Sequence, residues 1–317
     1  MTRCRHCLGR DVLTLAGPRH AEARVCRHRA GCGRCHDRGV EVYLDAMGRE
    51  VAAPCGCGLL ELARRTAIYD RAAIPARFHD ARFDGYQARD AEGSQHGARV
   101  LFTELIDRFR PGDRGVGLSG PAGVGKTHLL AALAGYLSLQ RGIEVRYTDF
   151  SDLVSELRAR FEVGGGSEAL VGTIADAEVL CIDELGKGRA TEWEQSIVDA
   201  IISRRYNRGL TLFYATNHPL DDHAGGHGLE PLSARIGARA ASRLREMTRQ
   251  LSLQGPDGRA MRVNAGAAGD VGESKATAEG RQRGGGARQA TSERPGGSAG
   301  LGAWATAPGL RPVAAKD

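Results

Sequence analysis

Lys126 and Thr127 close the octet Gly120-Pro121-Ala122-Gly123-Val124-Gly125-Lys126-Thr127, a complete GxxxxGK[ST]. Glycines at that spacing let backbone N–H groups curl around an anion, and a helix starting there adds the positive end of its dipole. The lysine then reaches the β- and γ-phosphates of a nucleotide, and the threonine hydroxyl faces Mg2+. A second chemical pair, Asp183-Glu184, follows the apolar run Val179-Leu180-Cys181-Ile182. Asp183 is expected to hold Mg2+, mostly through water, and Glu184 to polarise an attacking water. Asn217 ends a third apolar run, Leu210 to Thr216. Its amide can orient that water or the γ-phosphate. A turn-forming Asn ahead of His218-Pro219 is the plainer alternative.

The cysteines form a separate constellation. Seven of eight precede residue 58, and they tile two units of similar spacing. Cys4 and Cys7 are followed by Cys26 and His28; Cys32 and Cys35 are followed by Cys55 and Cys57. Two thiolates on a tight knuckle, completed by a second pair from a returning strand, make the tetrahedron that Zn2+ prefers. Clustered CxxC pairs in a reducing compartment read as metal ligands rather than disulfides. Two zinc sites are expected, with one structural zinc and unused thiols as the other reading. His6, His20 and His36 compete with His28 as the fourth ligand of the first site. Neither site has an open position, so neither reads as catalytic. Cys181, in an apolar run, reads as core.

These residues need elements to hold them. Val116 to Ser119 reads as a short strand running into the octet, and the apolar positions Leu129, Leu130, Leu133 and Leu137 give the following stretch helical period. The runs ending at Asp183 and Asn217 read as buried parallel strands, with their polar residues at the strands' C-terminal edge beside the phosphate loop. The fold class is therefore α/β, a doubly wound parallel sheet. Around Cys35 to Cys55, a strand near 39–44, a turn and a return near 50–52 read as a zinc-ribbon hairpin. The expected organisation is a zinc-ribbon domain over 1–58, a linker and lead-in segment over 59–95, and an ATPase domain over 96–263. A low-complexity tail, 264–317, is expected to be disordered, because it cannot offset its chain entropy by burial. As a separate domain, the ribbons are expected to unfold on chelation without much effect on nucleotide binding. A terminal hairpin is expected from Leu251-Ser252-Leu253 and Met261-Arg262-Val263 around Pro256-Asp257-Gly258.

The chain has 317 residues, 41% hydrophobic and 26% charged, enough for a self-sufficient core. No stretch approaches the roughly 18 apolar residues of a membrane helix, and MTRCRHCLGR lacks a signal-peptide core. No membrane partner and a cytoplasmic location are expected. Net charge is +6, which tolerates a nucleic-acid partner without demonstrating one.

The octet, the Asp-Glu pair and Asn217 together resemble the AAA+ ATPases, with Asn217 at the sensor-1 position. Gly125-Lys126-Thr127-His128-Leu129, Ile182-Asp183-Glu184-Leu185-Gly186, Arg204-Arg205-Tyr206-Asn207, Ala215-Thr216-Asn217 and Ser242-Arg243-Leu244-Arg245-Glu246-Met247 narrow the likeness. Residues 70–263 look like the DnaC/DnaI-type helicase loaders and the related IstB-type transposition ATPases. Ile74-Pro75-Ala76-Arg77-Phe78, with Phe83 and Tyr86, is similar to the family segment that packs near the adenine. DnaI-type loaders carry an N-terminal zinc-binding domain, consistent with residues 1–57. The resemblance implies ATP with Mg2+ as ligands, ATP hydrolysis, and an arginine finger from a neighbouring subunit of an ATP-dependent homo-oligomer. Arg243 matches that finger. The resemblance further implies a replicative DNA helicase and single-stranded DNA as partners. A DNA-binding, IstB-like transposition helper that recruits a transposase is the alternative. A third reading is a zinc-ribbon adaptor whose nucleotide only stiffens the fold.

Overall fold

The computed structural model describes residues 4–88, 93–162, 167–220, 230–259 and 311–312. Two antiparallel hairpins come first: β1 (Val12–Ala16) with β2 (Ala21–Val25), and β3 (Val40–Leu44) with β4 (Glu50–Pro54). The second hairpin lies where the sequence places a ribbon. Helix α1 (Leu59–Ala72) leads through the 3-10 turn Ala76–Phe78 to α2 (Ser94–Arg108). Next come β5 (Gly115–Ser119), α3 (Lys126–Leu139), β6 (Val145–Asp149), α4 (Phe150–Glu162) and α5 (Ser167–Ala175). The chain continues as β7 (Val179–Asp183), α6 (Glu192–Arg208), β8 (Thr211–Thr216), α7 (Leu232–Ile236), α8 (Ala238–Met247) and β9 (Thr248–Ser252). Of residues 264–317 only β10 (Arg311–Pro312) is described, paired antiparallel with Leu44 and Tyr43 of β3. The expected disorder otherwise concerns residues outside the described ones. Among the described residues no helix is long and apolar enough to cross a membrane.

Strands β6-β7-β8-β5-β9 form one sheet, parallel throughout. Successive residues of β7 face opposite sides, as a strand requires. Val179 and Cys181 enter one cluster with α2 and α3, whereas Leu180 and Ile182 enter another with α4, α6 and α8. The sheet is thus doubly wound, with helices on both faces. The chain also forms two strands beyond the three expected. Arg146 and Thr148 make β6 less apolar, and Thr248-Arg249-Gln250 hides β9 in a polar run. The expected terminal hairpin is corrected at its first arm: Leu251 and Ser252 belong to β9, which lies parallel to β5. Its second arm, residues 261–263, lies outside the described residues.

The first hairpin is packed against the core of the sheet domain. Val12, Ala21 and Ala23 share a hydrophobic cluster with Tyr69, Ile74, Phe83 and Phe102. The Ala21 amide donates to the Ile74 carbonyl at 2.7 Å, and His20 bridges Pro75. Apolar burial across residue 58 is therefore continuous, and the first hairpin is not freely tethered to the sheet domain.

Arg205 is the largest fully buried side chain. It donates to the carbonyls of Ala175 (2.9 Å), Ala177 (2.7 Å), Glu178 (3.5 Å) and Thr211. It thereby ties the approach to β7 to the start of β8. Burial pulls its pKa down to about 10, so it stays charged.

Candidate nucleotide cleft and metal clusters

The phosphate loop turns tightly because its glycines can take conformations closed to side chains. Gly123 has φ 80° and Gly125 φ 99°. A Cβ on Gly123 would lie 1.9 Å from Asp257 Oδ1, and one on Gly125 2.5 Å from the Tyr86 ring. Both glycines are therefore demanded by φ and by space. Tyr86 locks the loop from beneath, donating its hydroxyl to the Val124 carbonyl at 3.0 Å and lying tilted against His128. His128 in turn contacts the Arg82 carbonyl through Nε2 at 2.9 Å.

A cleft of about 420 Å³ opens at the C-terminal ends of the strands. Ala122 to His128, Asp183, Glu184 and Asn217 line it, together with Arg77, Phe78 and Tyr86 of the lead-in segment. Gly120 and Pro121 close the loop behind: Lys126 Nζ donates to their carbonyls at 2.8 and 2.7 Å. Burial lowers the Lys126 pKa to about 8, against the opposing pull of Asp183 and Glu184. Burial raises that of Asp183, while hydrogen bonds from Tyr147 (2.8 Å) and Thr127 (3.3 Å) oppose the shift. A lysine short of counter-charge and a carboxylate short of a cation thus face one cleft, the arrangement that a polyphosphate and a divalent ion would relieve.

Glu184 is held differently. Its backbone is left-handed, at φ 52°, and its carboxylate is ion-paired with Lys187 near the cleft mouth. Asn217 is placed by the hinge before it. Thr216 Oγ1 donates to the Leu185 carbonyl at 2.7 Å, and the Leu185 amide donates to the Ala215 carbonyl. Arg243 does not line the cleft. It lies between α8 and α6, donating to Asp199 Oδ1 at 3.2 Å, touching Ser203 and stacking 5.5 Å above Tyr206.

Sequence reasoning missed the C-terminal strap that crosses the loop. Leu253 N donates to Ser119 O at 2.7 Å and Gly258 N to Gly123 O at 3.1 Å. The strap brings Arg259 to the cleft, close enough to press the Lys126 pKa down. Among the described residues, the Arg259 guanidinium has no ion pair. Tyr147 was missed too, because it stands on an unrecognised strand. The only available signal for the strap was Pro-Asp-Gly after an apolar pair, which reads as a turn.

The N-terminal ligand sets also converge. In each set of four, Cys4/Cys7/Cys26/His28 and Cys32/Cys35/Cys55/Cys57, all ligand atoms lie within 4.8 Å of one another. A tetrahedral zinc spreads sulfurs about 3.8 Å apart and a sulfur–nitrogen edge about 3.5 Å. Cys4–Cys26 and Cys32–Cys55 span 3.8 Å, Cys35–Cys57 3.7 Å, and Cys7 Sγ to His28 Nδ1 3.5 Å. Both sets could therefore hold a tetrahedral ion. Backbone N–H groups of Cys7 and His6 lower the Cys4 pKa to about 6, and those of Cys35 and Arg34 lower Cys32 to about 7. At the first set His28 is the histidine in place. Its Nε2 donates to Asp11 Oδ1 at 3.0 Å, the outer partner that fixes a metal-binding imidazole. Asp11 carries no spacing signal and was missed.

The family model described as IstB-like ATP binding protein matches residues 82–239. The protein YdaV of Escherichia coli K12 is 30% identical over 138 residues, 44% of this chain and 54% of its own length. The chain thus spans about half of that relative. The replicative helicase loader DnaC of Escherichia coli K12 is 26% identical over 178 residues, 56% of this chain and 68% of its own length. A crystal structure of the DnaC helicase loader overlaps with TM-score 0.48 at 28% identity, covering 56% of this chain and 99% of that one. One of DnaI overlaps with TM-score 0.46 at 23% identity, covering 58% and 93%. The matched segment contains the whole phosphate loop, Asp183, Glu184 and Asn217, so over these residues this chain is similar to the DnaC/IstB-like proteins of the AAA+ ATP-binding class.

Proposed function

We propose that the chain binds and hydrolyses ATP and acts in DNA replication as a loader of a replicative helicase onto single-stranded DNA. The observation that carries the ATPase reading is the meeting of Lys126, Asp183, Glu184 and Asn217 at one cleft. Thr127 and Asp183 would hold Mg2+, which offsets charge on the phosphates when bound. Lys126 leaves the Gly120 and Pro121 carbonyls for the β- and γ-phosphates, with the amides of residues 122–127 around them. Glu184 accepts the proton of the attacking water once it parts from Lys187, and Asn217 orients that water. Arg77 and Phe78 flank the base. Arg243, from a neighbouring subunit, stabilises charge on the transferring phosphoryl group. Cys4, Cys7, Cys26 and His28, and Cys32, Cys35, Cys55 and Cys57, would each hold a Zn2+, which would supply folding energy to the hairpins. The loader reading rests on the 178-residue alignment with DnaC. It is tested by ATP-dependent capture of a replicative helicase and its deposition on single-stranded DNA.

The family model favours a second reading, an IstB-like helper that binds DNA and recruits a transposase. Capture of a transposase on duplex DNA, with no helicase bound, would select it. Turnover unaffected by DNA or by either partner would select the adaptor.

A further inference from the structure

The two metal clusters are joined through one side chain. Arg29 follows His28 by one residue and lies between the clusters. Its Nε is 3.8 Å from Asp11 Oδ1, the atom that accepts from His28 Nε2. Its Nη2 donates to the carbonyl of Cys57, a ligand of the second set, at 2.5 Å. Among the described residues, that Nε is buried without a hydrogen bond, and the Asp11 carboxylate is the counter-charge beside it. Cys57 precedes Gly58, the N-cap of α1, where a Cβ would lie 3.8 Å from Arg29 Nη2. A chain of contacts thus runs from the His28 ring through Asp11 and Arg29 to the loop that carries the second set's last ligand.

We propose that Arg29 couples the two clusters, so that filling either one raises the metal affinity of the other. This rests on the reading that each set holds an ion. A metal on His28 Nδ1 fixes the ring, and the ring fixes Asp11 through Nε2. Asp11 then holds the guanidinium where it grips the Cys57 carbonyl. In the reverse direction, a metal on Cys57 fixes that carbonyl and pins Arg29 against Asp11, which sets the His28 ring before its metal arrives. Reciprocity is obligatory for such a coupling. Arg29 touches no metal in this arrangement and is a positioning residue. Outer partners of metal ligands typically change affinity 10–100-fold, and Arg29, one step further out, is expected to contribute about tenfold at the lower end of that range.

The test is a cobalt titration of the full-length chain after metal removal. The Cys3His and Cys4 sets have different d–d bands, because imidazole is a stronger-field ligand than thiolate, so each site is read separately. In the wild type both bands should grow together to two ions per chain. Cys35→Ser, which disables the second set, should weaken cobalt at the first about tenfold. Arg29→Ala should make the bands grow at separate concentrations and remove the effect of Cys35→Ser on the first set. Arg29→Lys keeps the charge near Asp11 but is too short to hold the Cys57 carbonyl, and should behave like Arg29→Ala. Zinc release from the loaded chain into a chelating dye gives a second measurement, one phase in the wild type and two in Arg29→Ala. Two ions per chain with Arg29→Ala unchanged in both measurements would overturn the coupling alone. Fewer than two ions in the wild type would overturn the two-metal reading, and the coupling with it.

Discussion

The Ala23 amide donates to Asp70 Oδ1 at 2.7 Å, pinning the first hairpin to α1. Just beyond α1's last turn, Ile74 accepts from Ala21, and Arg77 and Phe78 then enter the nucleotide cleft. The hairpin therefore buttresses the segment expected against the base. Chelation should raise the Kd for ATP several-fold, and Asp70→Ala should do the same in the metal-loaded chain. Calorimetric titration of ATP into the full chain, with and without chelator, checks this. Unchanged affinity in both cases would restore the expectation of an independent ribbon domain.

Lys126→Ala should weaken ATP binding about 10–100-fold, the worth of a charge-assisted contact. Glu184→Gln should keep ATP affinity and lower hydrolysis about 10²–10⁴-fold, because only proton acceptance is lost. Binding is read by a fluorescent ATP analogue and hydrolysis by phosphate release. Equal loss of binding in the two variants would contradict the assigned roles.

Arg259 lines the cleft from the strap, beside Lys126. Arg259→Ala should raise the Kd for ATP about tenfold, by loss of one charged contact, while affecting AMP little. A parallel loss for AMP would mean that the strap supports the fold of the cleft rather than the phosphates.

Arg205→Ala should destabilise the chain by about 3 kcal/mol or more, since several buried carbonyls lose a charged donor. Thermal unfolding should shift downward, with ATP affinity preserved in the fraction still folded. A melting temperature within a degree or so of wild type would show that water replaces the guanidinium.

Arg243 is held in its own chain by Asp199, Ser203 and Tyr206. As a finger it must leave Asp199 when a neighbour's cleft arrives. Arg243→Ala should then cripple hydrolysis yet spare ATP affinity in dilute monomer. Mixing it with Lys126→Ala chains should restore part of the activity, because one interface combines an intact loop with an intact arginine. Asp199→Ala frees the arginine and should leave hydrolysis in place. Full activity of Arg243→Ala would leave it as an internal strut between α6 and α8.

What the sequence determined by itself was chemistry carried within a few residues. The octet, the Asp183-Glu184 pair and the two CxxC knuckles are short-range patterns, because a tight turn or a strand end sets their geometry locally. Apolar runs likewise announced β7 and β8, since central strands are buried on both faces. Tertiary structure decided the rest. Tyr147 meets Asp183, Arg259 joins the phosphate loop at one cleft, Asp70 meets Ala23, and Arg29 meets both Asp11 and the Cys57 carbonyl. Polar residues obscured β6 and β9, because edge strands need not be apolar throughout. Only the folded sheet brings those side chains together. A hydrogen bond across a long loop depends on how the intervening chain packs, and leaves no fixed spacing in the sequence.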